Sequence, residues 1–140
     1  MNQWVESVKE FMVKFGQPIR HKPSALTTGE CFLRVNLIDE EREETVMAMA
    51  NRNVTETADG IVDAIYVLIG TAIQSGIELD EIFAEVHRTN MAKVGGKVRA
   101  DGKILKPEGW EPPKIAEIIE KQRFLGTYKE HAKPVCDHDG

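Results

Sequence analysis

Cysteine is scarce in this chain, with Cys31 and Cys136 the only two, far apart and with no Cys-x-x-Cys between them. Such spacing gives no disulfide framework and no cysteine-built zinc site. A long hydrophobic run is also lacking. The most apolar stretch, residues 60–72, carries Asp63 inside it and is too short to span a bilayer. The opening MNQWVESVKE lacks the basic-then-apolar order of a secretory signal, so none is expected. There is no basic excess either: Lys plus Arg is 18 against 23 for Asp plus Glu, a formal charge of −5, which argues against a general nucleic-acid binder. Internal repeats and low-complexity tracts are absent. What is present is 140 residues, 41% hydrophobic and 29% charged, the balance of one soluble domain with a real core. The expectation is a reduced, cytoplasmic protein with no membrane and no nucleic-acid partner.

The charge is partitioned along the chain. Residues 30–85 hold 13 acidic side chains against Arg34, Arg42 and Arg52, a net of −10. Residues 88–107 hold Arg88, Lys93, Lys97, Arg99, Lys103 and Lys106 against Asp101, a net of +5. Such partitions are often only solvated faces. A sharper reading is a site with a cation-binding half and an anion-gripping half, and residue spacing decides between the two.

Periodicity is helical, so the fold class is all-α: a compact bundle of about five helices. A first helix is expected over 2–15, with Trp4, Val8, Phe11, Met12 and Phe15 on one stripe and Gly16 and Pro18 ending it. A second runs from about 30 to 52. A third covers about 56–75, with Thr55 as N-cap and Gly76 as its stop. A fourth begins near Leu79 and reaches Met91, and Pro112 and Pro113 suit the start of a last helix ending near Arg123. Residues 94–111, with four glycines and Pro107, form a basic loop longer than packing requires. The domain is set at residues 1–125, with a loose polar tail over 126–140. Cys31 is most simply a small core residue.

Carboxylates interrupt the apolar stripes of the second and third helices. Leu33, Leu37, Glu41, Glu44 and Ala48 follow at three- and four-residue steps and share a face, with Glu40 beside it. Glu41 and Glu44 stand one turn apart, about 4.5 Å along the axis. Asp59, Val62, Asp63, Tyr66, Ile69, Gly70 and Ile73 lie on or near one face of the next helix, with Glu56 a turn earlier. Carboxylates on inward faces repel one another and raise their own pKa values, and a divalent cation removes the difficulty. Two helices each offering an acidic pair suit a hard, oxygen-preferring ion such as Mg²⁺ or Mn²⁺. The bland alternative is an exposed acidic face at Glu40, Glu43 and Glu44. It is weaker for Asp63, flanked by Ile61, Val62, Ala64 and Ile65. The two Glu-x-x-His pairs of a di-iron bundle are missing.

Glu40-Glu41-x-x-Glu44, a gap, and an acidic pair ending in Asp63 before Ala-Ile-Tyr-Val resemble the all-α nucleoside triphosphate pyrophosphohydrolases. That superfamily includes MazG-type enzymes, dimeric dUTPases and phosphoribosyl-ATP pyrophosphohydrolases. The blocks FAEVHRTNMAKV at 83–94 and RADGKILKPEGWEPPKI at 99–115 are similar to its MazG-like branch, and the likeness covers roughly residues 10–120. The family pattern is Glu-Glu-x-x-Glu followed by Glu-x-x-Asp. Here Gly60 stands where the second Glu is usual, and the nearest acid is Asp59, with Glu56-Thr-Ala-Asp59 spelling an earlier register.

The resemblance implies hydrolysis of a nucleoside triphosphate (dUTP- or dNTP-like) between the α and β phosphates, to the monophosphate and pyrophosphate. It implies Glu41, Glu44, Asp59 and Asp63 as ligands of Mg²⁺ or Mn²⁺, and Glu40 as the base that deprotonates water. Arg88, Asn90, Lys93, Arg99, Lys103 and Lys106 would hold the phosphates, and Gln17 and His21 would touch the base or ribose. Trp110 is expected to anchor the loop onto the helices. A homo-oligomer, a dimer or dimer of dimers, is expected, with a site shared between chains. The alternatives are phosphoribosyl-ATP as substrate in histidine biosynthesis, a non-catalytic helical module binding metal structurally, and a protein–protein adaptor.

Overall fold

Helix starts in this chain are fixed by side-chain caps. In the computed structural model, which describes residues 2–129, α1 (Gln3–Lys14) begins where the Asn2 side chain accepts from the Val5 N–H. α2 (Thr28–Ala50) opens on a full capping box: the Thr27 hydroxyl accepts from the Glu30 N–H, and the Glu30 carboxylate accepts from the Thr27 N–H. α3 (Val54–Gln74) is capped by Asn53, not by Thr55 as expected. The reason is the tightness of the link: Arg52 adopts φ +54°, so the chain reverses within three residues and leaves Asn53 in the capping position. α4 spans Asp80–Met91, and α5 (Ile115–Leu125) starts after Pro112 and Pro113 rather than on them.

Helix packing falls into two groups. α2 and α3 form a long antiparallel hairpin, α1 lies against α3, and α4 packs against α5. The core is Val5, Val8 and Met12 of α1 with Ile69 and Ile73 of α3. Completely burying Ile73 alone contributes about 1.5–3 kcal/mol. Tyr128 closes this core from the far end of the chain.

The two groups are joined by hydrogen bonds rather than by helix faces. Gln122 of α5 donates to the Glu78 carbonyl and accepts from the Glu78 N–H. Thr127 donates through its hydroxyl to the Gly76 carbonyl and through its N–H to the His21 carbonyl. Tyr128 donates to the Ile77 carbonyl. Gly76 has φ +71°, and a Cβ there would stand 2.2 Å from the Lys22 carbonyl oxygen. Only glycine allows the loop after α1 to pass so close.

Several expectations are corrected. The buried stripe of α1 is Val5, Val8 and Met12, while Trp4, Phe11 and Phe15 remain exposed. Val62 and Leu33, expected on the inward faces of α3 and α2, are exposed. Cys31 is exposed on the first turn of α2. Thr127 and Tyr128, expected in a loose tail, are 0% and 1% exposed, since they supply hydrogen bonds and apolar surface that the turn at Gly76–Glu78 lacks. The rest of that tail, 130–140 with Cys136, lies outside the described residues. No helix among the described residues is long and apolar enough to cross a membrane.

Candidate functional site

The α2–α3 hairpin brings three of the expected carboxylates together. Glu41, Glu44 and Asp63 each offer an oxygen lying within 4.8 Å of the others. The spacing follows from helical geometry, with Glu41 and Glu44 one turn apart and Asp63 facing them across the hairpin. Burial pushes the Glu41 carboxyl above its usual range, and the negative charges of Glu44 and Asp63 push it further. Glu41 Oε2 is buried with no hydrogen-bond partner among the described residues. A buried carboxylate oxygen without a donor is costly unless something positive meets it.

The donor set fits a hard divalent cation. All three groups are carboxylates, and two oxygens on opposite sides of an ion at about 2.0–2.4 Å would be separated by about 4–5 Å. Glu40 is exposed beside the group and adds to the negative potential on Glu41. Asp59 and Glu56 are exposed and fall outside the three-residue group. Gly60 explains the missing glutamate: a Cβ at this position would meet Thr45 Oγ1 at 2.6 Å and Thr45 Cα at 3.1 Å. A side chain there must displace the Thr45 hydroxyl and press on the α2 backbone.

The expected anion-gripping residues gather elsewhere. Trp110 donates its indole N–H to the Thr89 carbonyl at 2.7 Å and so pins the loop to the last turn of α4. Lys93 Nζ lies 5.4 Å and Lys106 Nζ 5.0 Å from the centre of its ring. Arg88 is paired with Glu85, and Arg99 with Asp101 in the turn closed by the Val98–Ile104 bridge. Asn90 and Lys103 are exposed. Among the described residues, none of these cations forms an ion pair or hydrogen bond with Glu41, Glu44 or Asp63.

Gln17 stands in the turn after α1, its N–H donating to the Met12 carbonyl. That end of α1 meets α3 through Phe11, whose ring lies edge-on to Tyr66 at 5.6 Å, one turn beyond Asp63. His21 is at the other end of the hairpin, its Nδ1 3.1 Å from the Thr127 carbonyl oxygen. The neighbouring Arg20 reaches Gln74, eleven residues beyond Asp63 or about 16 Å along α3.

Sequence reasoning missed a second polar cluster on this hairpin. Arg20 donates to both Glu30 oxygens at 2.6 and 3.2 Å, Gln74 donates to Glu30, and buried Arg34 donates through Nε to Gln74 Oε1 at 2.7 Å. The Thr27-x-x-Glu30 capping box was a readable signal for the first part. Nothing in the sequence pairs Arg34 with Gln74, 40 positions away.

This all-α architecture with a carboxylate group on a helical hairpin is that of the nucleoside triphosphate pyrophosphohydrolase superfamily whose acidic motif the sequence resembles. More narrowly, the family model described as phosphoribosyl-ATP pyrophosphohydrolase matches residues 8–90, well over half of the chain. The chain belongs to that family, and a pyrophosphohydrolase activity follows from membership. The match runs from the middle of α1 into the last turn of α4, includes all three carboxylates, and stops before the basic loop. No curated protein matches the chain.

Proposed function

We propose that the chain hydrolyses the bond between the α and β phosphates of a nucleotide triphosphate, releasing pyrophosphate, with Glu41, Glu44 and Asp63 holding Mg²⁺. The observation that carries this reading is the three-carboxylate group with its unpartnered, buried Glu41 oxygen. A divalent ion bound there would offset phosphate charge and acidify a bound water. Exposed Glu40 is assigned to take the proton of the attacking water. Asp59, exposed one turn before Asp63, is retained as an outer ligand that a bound ion would draw in.

Asn90, Lys93, Lys103 and Lys106 are assigned to the departing phosphates, Lys93 and Lys106 being presented from one indole ring. Arg88 and Arg99 join them by exchanging their present carboxylate partners for phosphate oxygens. Gln17 is assigned to base or ribose, and His21 to the same role from a neighbouring copy. A homo-oligomer suits this arrangement, because among the described residues these cations make no ion pair with the carboxylates. Trp4, Ile65, Leu68 and Phe83 also line an open apolar groove of about 560 Å³ that a second copy would cover. A cytoplasmic location is proposed with it.

The substrate tested first is phosphoribosyl-ATP, because the family match points there. A dNTP such as dUTP is the second reading, favoured by the basic loop lying outside the matched residues. Phosphorus NMR with Mg²⁺ on both separates them. Pyrophosphate plus monophosphate establishes the cleaved bond, and the relative rates name the substrate. Orthophosphate release instead would overturn the assigned chemistry, and silence on every substrate would overturn turnover.

A further inference from the structure

One helical turn from the carboxylates α2 and α3 pass close together, with Gly60 seated so near Thr45 that a Cβ on it would stand 3.1 Å from the Thr45 Cα. Thr45 is not a passive neighbour. Its hydroxyl donates to the Glu41 carbonyl at 2.6 Å, within the turn that carries both Glu41 and Glu44. Hydroxyls bonded back to the preceding turn are known to bend helices. A side chain at residue 60 would therefore push first on Thr45 Oγ1, and through it on the backbone of Glu41. Asp63 sits three residues further along the helix that would be pushed away.

We infer that Gly60 is a positioning residue: its bare backbone, seated on Thr45, sets the separation of Asp63 from Glu41 and Glu44, and so the metal affinity of the group. The inference rests on the metal-site reading and adds to it that the family's usual glutamate cannot be restored here. Gly60→Glu would break the group rather than complete it.

The test is Mn²⁺ binding to the full chain, followed by calorimetry and by the Mn²⁺ electron paramagnetic resonance signal, beside circular dichroism and urea unfolding. In an unconstrained helix, Gly→Ala raises stability. Gly60→Ala is expected instead to weaken Mn²⁺ binding about tenfold or more with helical content retained. Thr45→Ala in the same chain removes the 2.6 Å contact and is expected to recover part of that loss, although Thr45 Cα at 3.1 Å still presses. Thr45→Ala alone gives the baseline for the double-mutant cycle. Unchanged Mn²⁺ affinity in Gly60→Ala overturns the inference while the metal site stands, as does a double variant no better than the sum of the singles. If Gly60→Ala does not fold, Gly60→Ser in the Thr45→Ala chain, measured against Thr45→Ala alone, carries the same comparison. Absence of Mn²⁺ binding in the unaltered chain overturns the metal-site reading itself, and the inference with it.

Discussion

Two glutamates on α2, eleven residues apart, meet opposite fates. Glu30 accepts from Arg20, from the Thr27 N–H and from Gln74, and these donors hold its carboxyl far below the usual range. Glu41 is pushed up by burial and by Glu44 and Asp63, with one oxygen left unpartnered. Residue type and helix are the same, and the difference is what the opposing helix offers. At Gln74 it offers an amide bridging to Arg34, and at Asp63 it offers another negative charge. The first end is complete as folded and therefore structural. The second gathers three carboxylates that no donor or cationic side chain among the described residues meets, and a cluster so perturbed is the kind that marks a binding site.

The comparison is broken most severely by removing the incomplete end. Asp63→Ala and Glu44→Ala are expected to lower turnover by more than about a hundredfold, beyond what loss of a mere outer partner costs. Their circular dichroism should be unchanged. Glu30→Ala should do the reverse, lowering the urea midpoint while the folded fraction keeps its turnover. Equal loss of turnover in all three would erase the distinction between the two ends.

Next in size is the response to Mg²⁺. At a hundred times its dissociation constant, the ion should add about 2.7 kcal/mol to the unfolding free energy. Asp63→Ala should lose this increment, and Gln74→Ala should keep it. The measurement is urea unfolding with Mg²⁺ and with chelator.

Gln74→Ala should itself cost about 2 kcal/mol, since it strips the buried Arg34 Nε of its acceptor. Urea unfolding with chelator reads this directly, and an effect near zero would mean that water replaces the amide.

The smallest effect is on pH dependence, where the two glutamates act with opposite signs about the ordinary value of 4.5. Glu30 has a lowered folded pKa, so its contribution is fully present above 4.5 and is lost as pH falls below it. Glu41 has a raised folded pKa, so the folded state holds the extra proton and metal-free stability declines as pH climbs from 4.5 through that value. Chemical unfolding between pH 3 and 7 should therefore show a maximum near the ordinary carboxylate value. Glu41→Gln should flatten its upper side and Glu30→Gln its lower side. Saturating Mg²⁺ should also flatten the upper side, by replacing the proton.

Much of this was legible in advance because it is local. Three-residue steps put Glu41 and Glu44 on one face of a helix, and Asp63 inside an apolar run marked a carboxylate that packing would constrain. Helix extents were legible to within a few residues from apolar periodicity, while the cap of α3 was misplaced where the reversal depended on Arg52 reaching φ +54°. Asp59 shows the limit. It shares a face with Asp63 on a helical wheel, yet the hairpin closes around Gly60 and leaves Asp59 in solvent. A wheel gives an angle on one helix but not where the second helix crosses it.

The sequence by itself determined the all-α class, the acidic column on α2 and α3 and the basic loop, because each follows from residue type and short-range periodicity. Only the tertiary structure decided which carboxylates share a site, that a side chain at residue 60 would crowd Thr45, and that Thr127 and Tyr128 are buried. Each of these depends on how closely two distant segments approach. That distance is set by side-chain volume and hydrogen bonding between residues many positions apart, which spacing along the chain does not encode.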